Sequence, residues 1–436
     1  IIRVVNIDYL FVIIGYVLTG LSLTASHNYI EKKKIWYYLL NFIYVIGFTL
    51  VILTQEWIVL LIGWELVTLA TALMLVWSSK RLAWQYFVIQ FIGSSILLYA
   101  VLTAKSSGYN QIAFIQEVWL QNFLIIGLGM KSAIFGLHFW LPPVHSEAPF
   151  PVSAILSGWV VKLGFIVYLK TIPQGNNLLL WLGILMIFYG GLKALLAADY
   201  KVLLAYSTIS QLGYIAIGIG IGTIYGITGS VLHIIAHSIA KTGLFIGSGY
   251  LVKEYGTRCI YNYKNTWKKL SFNNISILIG FASLMGLPFL TGYNSKHLIK
   301  MGFKGEAFFE IILYGASILT IFYAIRTIWW VVLKDFYREF DFKTDLIKLV
   351  RFNNIEVYQI LSLFPIIISL PLLGIIPNLI VEYKDFHLFK GIRNYLIYIL
   401  VVVLVLKKVN WFKIEEKTTP SLDYIVKKTY KFFHSL

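Results

Sequence analysis

Residues 35–55 read IWYYLLNFIYVIGFTLVILTQ and carry no charge from end to end. Runs of this kind recur along the chain, separated by short polar interludes. About 18 apolar residues suffice to cross ~30 Å of hydrocarbon, and in lipid a spanning segment must satisfy its own backbone, as a helix does. Strands of a membrane barrel would be ~10 residues long with alternating polarity, a pattern absent here. The hydrophobic periods predict about thirteen spanning helices, over 7–25, 35–54, 57–78, 82–104, 119–140, 150–170, 177–198, 201–220, 225–251, 272–299, 306–333, 356–382 and 391–406. No soluble domain separates them. The longest polar interludes are 252–271, 334–355 and the tail from Lys407. The middle one mixes charged and apolar positions as a surface helix would.

Composition agrees with an all-α integral membrane protein. Of 436 residues, 58% are hydrophobic and 13% charged, and the mean hydropathy is +0.76. A net charge of +17, from 37 Lys and Arg against 20 Asp and Glu, would suggest a nucleic-acid partner in a soluble chain. Here the basic residues collect in alternate loops: Lys32 to Lys34, Lys80 with Arg81, Lys253 to Lys269, Lys334 with Arg338, and Lys407 with Lys408. By the positive-inside rule that side faces the cytoplasm or matrix, with the N-terminus opposite. The charge is then topology, with no nucleic acid required, and the basic tail reads as a solvated or interfacial anchor. A lone cysteine, Cys259, makes neither an internal disulfide nor a thiolate-held cluster, so no cofactor is expected in this chain. The first residue is Ile, without a basic n-region or an A-x-A site. No signal peptide is expected, and the start reads as a fragment end or an unusual initiation codon.

Ionisable residues inside the spans are the most informative feature, because each costs ~2.5–3.5 kcal/mol or more at a helix centre. Glu65, Lys131, Lys162 and Lys296 lie in apolar surroundings, and His233, His237 and Lys241 share one helix at four-residue spacing. That spacing stacks the three on one face, as a proton relay requires. The plainer readings are a Glu that packs helices by hydrogen bonding and histidines that merely fill space. A metal reading of His233 and His237 lacks the Glu of zinc proteases and a third ligand. Lys131 and Lys162 stand too far from their helix ends for snorkelling. A buried lysine beside a carboxylate can be switched between holding and releasing a proton by moving either partner.

Two segments are interrupted. LPPVHSEAPFPVSA places prolines at 142, 143, 149 and 151, and MGLPFLTGYNSK places Gly286, Pro288 and Gly292 within another span. Proline removes a backbone donor and breaks the helix, and broken helices at membrane depth line ion pathways. On this reading Lys131 precedes its break by three turns, and Lys296 follows its own by two. Two interrupted segments, each with a lysine, suggest internal duplication.

The stretches WE at 64–65, GMKSAIFGLHFWLPPVHSEAPFPVSAILSGWVVKLG at 129–164, AADYKVLLAYSTISQLGYI at 197–215, HIIAHSIAKTGLFIGSG at 233–249 and GLPFLTGYNSK at 286–296 together resemble the antiporter-like subunits of respiratory complex I and the Mrp-type cation/proton antiporters. The resemblance covers roughly 35–335. It implies two inverted five-helix repeats, here 35–170 and 177–333, each with a broken helix, flanked by an N-terminal helix in 1–34 and C-terminal helices in 334–436. It also implies a proton path in which Glu65 stands for the family carboxylate, Lys131 for its partner, Lys162 for the central lysine and Lys296 for the terminal one. Lys162 and the short C-terminus argue against chain 5, and Lys296 leans towards chain 2, while the His233/His237/Lys241 file and TGYNSK are more like chain 5 or Mrp proteins. Two helices precede the Glu65 helix where the family has four, so two were lost or another chain supplies them.

These features lead to the expectation of a proton-translocating subunit of the membrane arm of mitochondrial NADH:ubiquinone oxidoreductase, partnered by other arm subunits and lipids. It would be part of an enzyme without doing redox chemistry itself. The alternatives are a stand-alone Mrp-type Na+/H+ antiporter subunit, in a bacterial plasma membrane, and a structural spacer that conducts nothing.

Overall fold

The computed structural model describes residues 4–27, 29–263, 266, 272–333 and 357–375, and its α-helices follow the hydrophobic periods closely. α1 is Val4–Ser26, α2 Lys34–Leu53, α3 Trp57–Leu75, α4 Lys80–Ser106 and α5 Val118–Gly129. After a break come α6 Leu141–Glu147, α7 Phe150–Gly158 and α8 Leu163–Thr171, then α9 Asn177–Leu196, α10 Tyr200–Ile221 and α11 Ile224–Tyr255. α12 Phe272–Met285 and α13 Thr291–Met301 flank a second break, followed by α14 Ala307–Ile328 and α15 Val357–Ile375. Among the described residues nine spans are long and apolar enough to cross a membrane, and the only β pairing is two isolated bridges. The predicted span 391–406, the surface helix at 334–355 and the basic tail lie outside the described residues.

Helix starts are set by side chains that cap otherwise unpaired amides. Ser79 accepts from Leu82 N, Asn176 from Leu179 N, and Asp199 Oδ1 from Lys201 N at 2.9 Å and Val202 N at 3.2 Å. The middle of α10 is wholly buried and that of α11 nearly so, so these two form the centre around which the others pack. Close packing between neighbours is built on glycine, as expected where lipid supplies no hydrophobic drive and backbones must meet directly. A Cβ on Gly47 would stand 2.9 Å from Gly63 O, and one on Gly63 would stand 2.6 Å from Gly47 O, joining α2 to α3. Gly183 and Gly213 join α9 to α10 with the same pair of distances.

The first break differs from the sequence expectation. α5 ends at Gly129, and residues 130–137 form turns before a short 3-10 segment, His138–Trp140. Lys131 therefore sits inside the break, not three turns ahead of it. Pro142 and Pro143 occupy the first turn of α6, where a missing N–H costs nothing: they start the second half and do not end the first. The chain leaves the helix through left-handed backbone at Ala133 (φ 50) and Gly136 (φ 88). The second break uses the same device, with Gly286 at φ 81 and Phe289 at φ 68. Ala and Phe rarely adopt this conformation, so both breaks hold local strain. A third irregularity, unforeseen from sequence, interrupts the span 150–171: Trp159 has φ −134 and ψ −49, and Val160–Lys162 form a 3-10 turn.

Candidate functional site

The interior amines are the starting point. Lys131, Lys162 and Lys241 are fully buried and Lys296 almost so, yet among the described residues none lies within an ion pair. Each ammonium is instead held by a main-chain carbonyl. Lys131 Nζ donates to Trp64 O at 2.8 Å and to Thr68 Oγ1 at 2.6 Å, and lies 4.4 Å from the Trp64 ring centroid. Lys162 Nζ donates to Ser157 O across the unwound turn at Trp159. Lys241 Nζ donates to Leu204 O at 3.0 Å and Ser207 Oγ at 2.5 Å. Lys296 Nζ donates to Leu284 O at 2.6 Å, on the far side of its break, and lies 4.3 Å from the Tyr214 ring centroid. Charge-assisted bonds of this kind are about twice as strong as neutral ones, and the cation–π contacts add to them.

The i, i+4, i+8 file on α11 is realised. His233 and His237 stack with ring centroids 6.0 Å apart and planes 4° from parallel. His233 Nδ1 meets Ser295 Oγ at 2.8 Å, which links the file to the helix of Lys296. Both ring nitrogens of His237, and Nε2 of His233, have no hydrogen-bond partner in the protein. A buried polar atom in that condition costs about 1–3 kcal/mol unless a water satisfies it, so these imidazoles sit where a hydrogen-bonding chain can run.

Electrostatic coupling shows which groups the fold brings together. Lys162, Lys241, His233 and Lys296 all act on His237, and Lys241 acts on Lys162. His145 adds a further member that sequence reasoning passed over. It is buried, stacks on Phe245 at 4.8 Å with both nitrogens unpartnered, and feels Lys241, Lys201 and Lys162. Lys201, also passed over, is buried and donates to Ala148 O at 2.7 Å. Both lay within quoted motifs. The sign that could have revealed them is a titratable residue beside a helix interruption for His145, and a lysine one residue into a fully apolar helix for Lys201.

Glu65 and Lys131 form a separate unit. Glu65 acts electrostatically on Lys131, but no ion pair joins them, since Lys131 bonds to Trp64 and Thr68 on the buried face of α3. Glu65 is half-buried on the adjoining face, where it lines an open groove of about 580 Å³ between α3 and α4 with Phe87, Phe91 and Ser94. The expected cavity pair is therefore two groups on either side of one helix. Between this unit and the Lys162 cluster, the break at Ser132 packs against α8: a Cβ on Gly164 would lie 3.1 Å from Leu128 O and against Ser132 Oγ.

A family model described as NADH:quinone oxidoreductase/Mrp antiporter, transmembrane, matches residues 54–320. Among similar proteins, subunit N of NADH-quinone oxidoreductase from Desulforudis audaxviator is 32% identical over 218 residues, 47% of this chain and 44% of that protein. NADH-ubiquinone oxidoreductase chain 4 from Wickerhamomyces canadensis is 30% identical over 324 residues, 70% of this chain and 62% of that protein. The matched part of this chain thus spans less than two thirds of either relative. In fold, the chain is similar to a chain of respiratory complex I from Thermus thermophilus with bound NADH, at a TM-score of 0.73 and 22% identity, covering 90% of this chain and 85% of that one. The matched residues 54–320 include Glu65, the five buried lysines among the described residues and both stacked histidines, and the chain belongs to the NADH:quinone oxidoreductase/Mrp antiporter transmembrane family.

Proposed function

We propose that this chain is a proton-translocating, antiporter-like subunit of the membrane arm of a complex I-type NADH:ubiquinone oxidoreductase in the mitochondrial inner membrane, driven by movements passed along the arm. The observation that carries the reading is the file of buried titratable bases without counter-carboxylates among the described residues: His233 and His237 stack 6.0 Å apart, His233 reaches the helix of Lys296 through Ser295, and His237 lies in the fields of Lys162, Lys241 and Lys296. Amines and imidazoles so placed cannot all be charged at once without mutual repulsion, so protonation at one position is coupled to release at the next. Lys201, at the start of α10, and His145, in α6, extend the file, and the unpartnered imidazole nitrogens supply positions for bridging water. Glu65 and Lys131 make the other end, where the half-buried carboxylate meets a lateral groove that a neighbouring membrane-arm subunit would cover.

The two halves 35–170 and 177–333 act in this reading as repeats. The matched glycine contacts of α2–α3 and α9–α10, and the two breaks with left-handed residues three apart, support it. Mitochondrial residence is supported by the Ile-, Phe-, Tyr- and Lys-rich composition and by a relative that is a chain of NADH-ubiquinone oxidoreductase. The family description also covers Mrp antiporters, which favours a second reading, a subunit of a cation/proton antiporter working on an ion gradient. Solubilising native membranes separates the two: comigration of the chain with NADH-oxidising activity supports the first reading, and its absence the second. Within an assembled complex, Lys131→Met is expected to abolish or sharply reduce protons moved per NADH while the chain remains incorporated. An unchanged ratio would refute the proton-carrier role.

A further inference from the structure

An open groove of about 650 Å³ runs between α2 and α3 on the outside of the chain, independent of the proton file. Its floor is apolar and strongly exposed: Leu39 and Phe42 on α2 are 46% and 64% exposed, and Leu73 on α3 is 42% exposed. In a membrane such a trough holds hydrocarbon. One end of it is different. There Lys32 and Lys33 line the groove together with the indoles of Trp36 and Trp77, and no acidic residue lines it. Both lysines are exposed, and neither ammonium takes part in an ion pair among the described residues.

The position of this end is fixed by the fold. Trp77 Nε1 donates to Lys32 O at 2.9 Å, tying the α1–α2 connection to the end of α3, on the side that also carries Lys80 and Arg81. Lys33 adopts left-handed backbone at φ 55 and ψ 39, which turns the chain sharply at the mouth of the groove. From Lys33 to Phe42 the helical rise gives ~13 Å, room for a headgroup at one end and the upper part of an acyl chain below it. Tryptophan beside lysine is the arrangement that sits at headgroup level, and lysines there favour negatively charged lipid.

We propose that the α2–α3 groove is a binding site for one anionic phospholipid, its phosphate between Lys32 and Lys33 and an acyl chain along Leu39, Phe42 and Leu73. Net-neutral phospholipid fits the trough equally well but gains much less from the two ammonium groups, so the lysines make the site selective. The full chain, isolated in detergent within whatever complex it forms, is incubated with phosphatidylglycerol or phosphatidylcholine carrying a photoreactive acyl chain, and labelled peptides are mapped. Attraction of about fivefold per lysine near an anionic surface gives the expected result: phosphatidylglycerol labels 36–43 and 73–77 at least ~5-fold above phosphatidylcholine. Lys32→Gln with Lys33→Gln, both at exposed positions, should bring that labelling down to the phosphatidylcholine level while labelling beside Phe87 and Phe91 in the other groove stays constant. Equal labelling by the two lipids, or phosphatidylglycerol labelling that survives the double substitution, overturns the proposal. So does protection of this groove from both lipids while Phe87 and Phe91 are labelled, which would assign it to a protein segment.

Discussion

Gly63→Ala adds one methyl group on the face of α3 that meets α2. The new Cβ would lie 2.6 Å from Gly47 O, 2.9 Å from Leu50 Cβ and 3.0 Å from Val51 N. The nearest and the third of these are main-chain atoms, so rotating a side chain cannot make room. To restore ordinary contact the helices must separate locally by about 0.8 Å, and overpacking of this sort costs ~1–3 kcal/mol. Trp64 is the next residue, and its carbonyl holds Lys131 Nζ at 2.8 Å. Displacement by 0.8 Å along that bond would stretch it to about 3.6 Å, past the hydrogen-bonding range. Gly20→Ala supplies the contrast, since nothing lies within 4 Å of a Cβ there and alanine is favoured over glycine in a helix by ~0.8–1 kcal/mol. The same chemical change should thus lower the melting temperature of the detergent-solubilised protein at position 63 and leave it equal or higher at position 20. In assembled complex, protons moved per NADH should fall for Gly63→Ala only. If both variants melt with the parent and pump alike, the backbone contact between α2 and α3 does not exist as described.

Two further substitutions probe the breaks and the newly identified histidine. Ala133→Gly should change stability by no more than ~1 kcal/mol, because relief of a left-handed alanine worth ~1–2 kcal/mol offsets the lost methyl and the added chain entropy; Ala100→Gly, at a buried regular position of α4, should cost ~2 kcal/mol by helix propensity and burial, and equal losses in thermal denaturation would show that the break is not left-handed. His145→Leu removes two unpartnered ring nitrogens at nearly constant volume, so the melting temperature should hold or rise while proton transfer in reconstituted vesicles falls at least ~10-fold, as for loss of an acid–base group; unchanged transfer would reduce His145 to a packing residue.

Helix positions were readable because runs such as 35–54 are apolar on every face, and lipid accepts no alternative to a helix for them. Where a span was broken was harder to read. Proline marked the region of the first break, but proline is equally at home in the first turn of a helix, and the break lies at 130–137, with Gly136 and a strained Ala133 supplying the turn. The unwinding at Trp159 was not read from the sequence; it lies where the span meets α11, with no room for a Cβ on the preceding Gly158 beside Thr242. The site shows the same division. Four-residue spacing is a local property, so the alignment of His233, His237 and Lys241 was evident from the chain alone. Which face of α3 each group takes is a matter of ~100° of rotation per residue, and that placed Trp64 and Thr68, rather than Glu65, against Lys131. His145 and Lys201 were hidden because their burial depends on helices far away in sequence.

Among the described residues every buried lysine donates to a peptide oxygen: Trp64, Ser157, Ala148, Leu204 and Leu284 provide them. Such acceptors carry no titratable charge and survive any replacement of their own side chain. A drift of a few tenths of an ångström between the segments that carry donor and acceptor is therefore felt directly at the amine. The peptide part of each cage is invisible to side-chain replacement, so substitutions that shift whole helices will report on it better than those that delete the hydroxyls of Thr68 and Ser207 beside it.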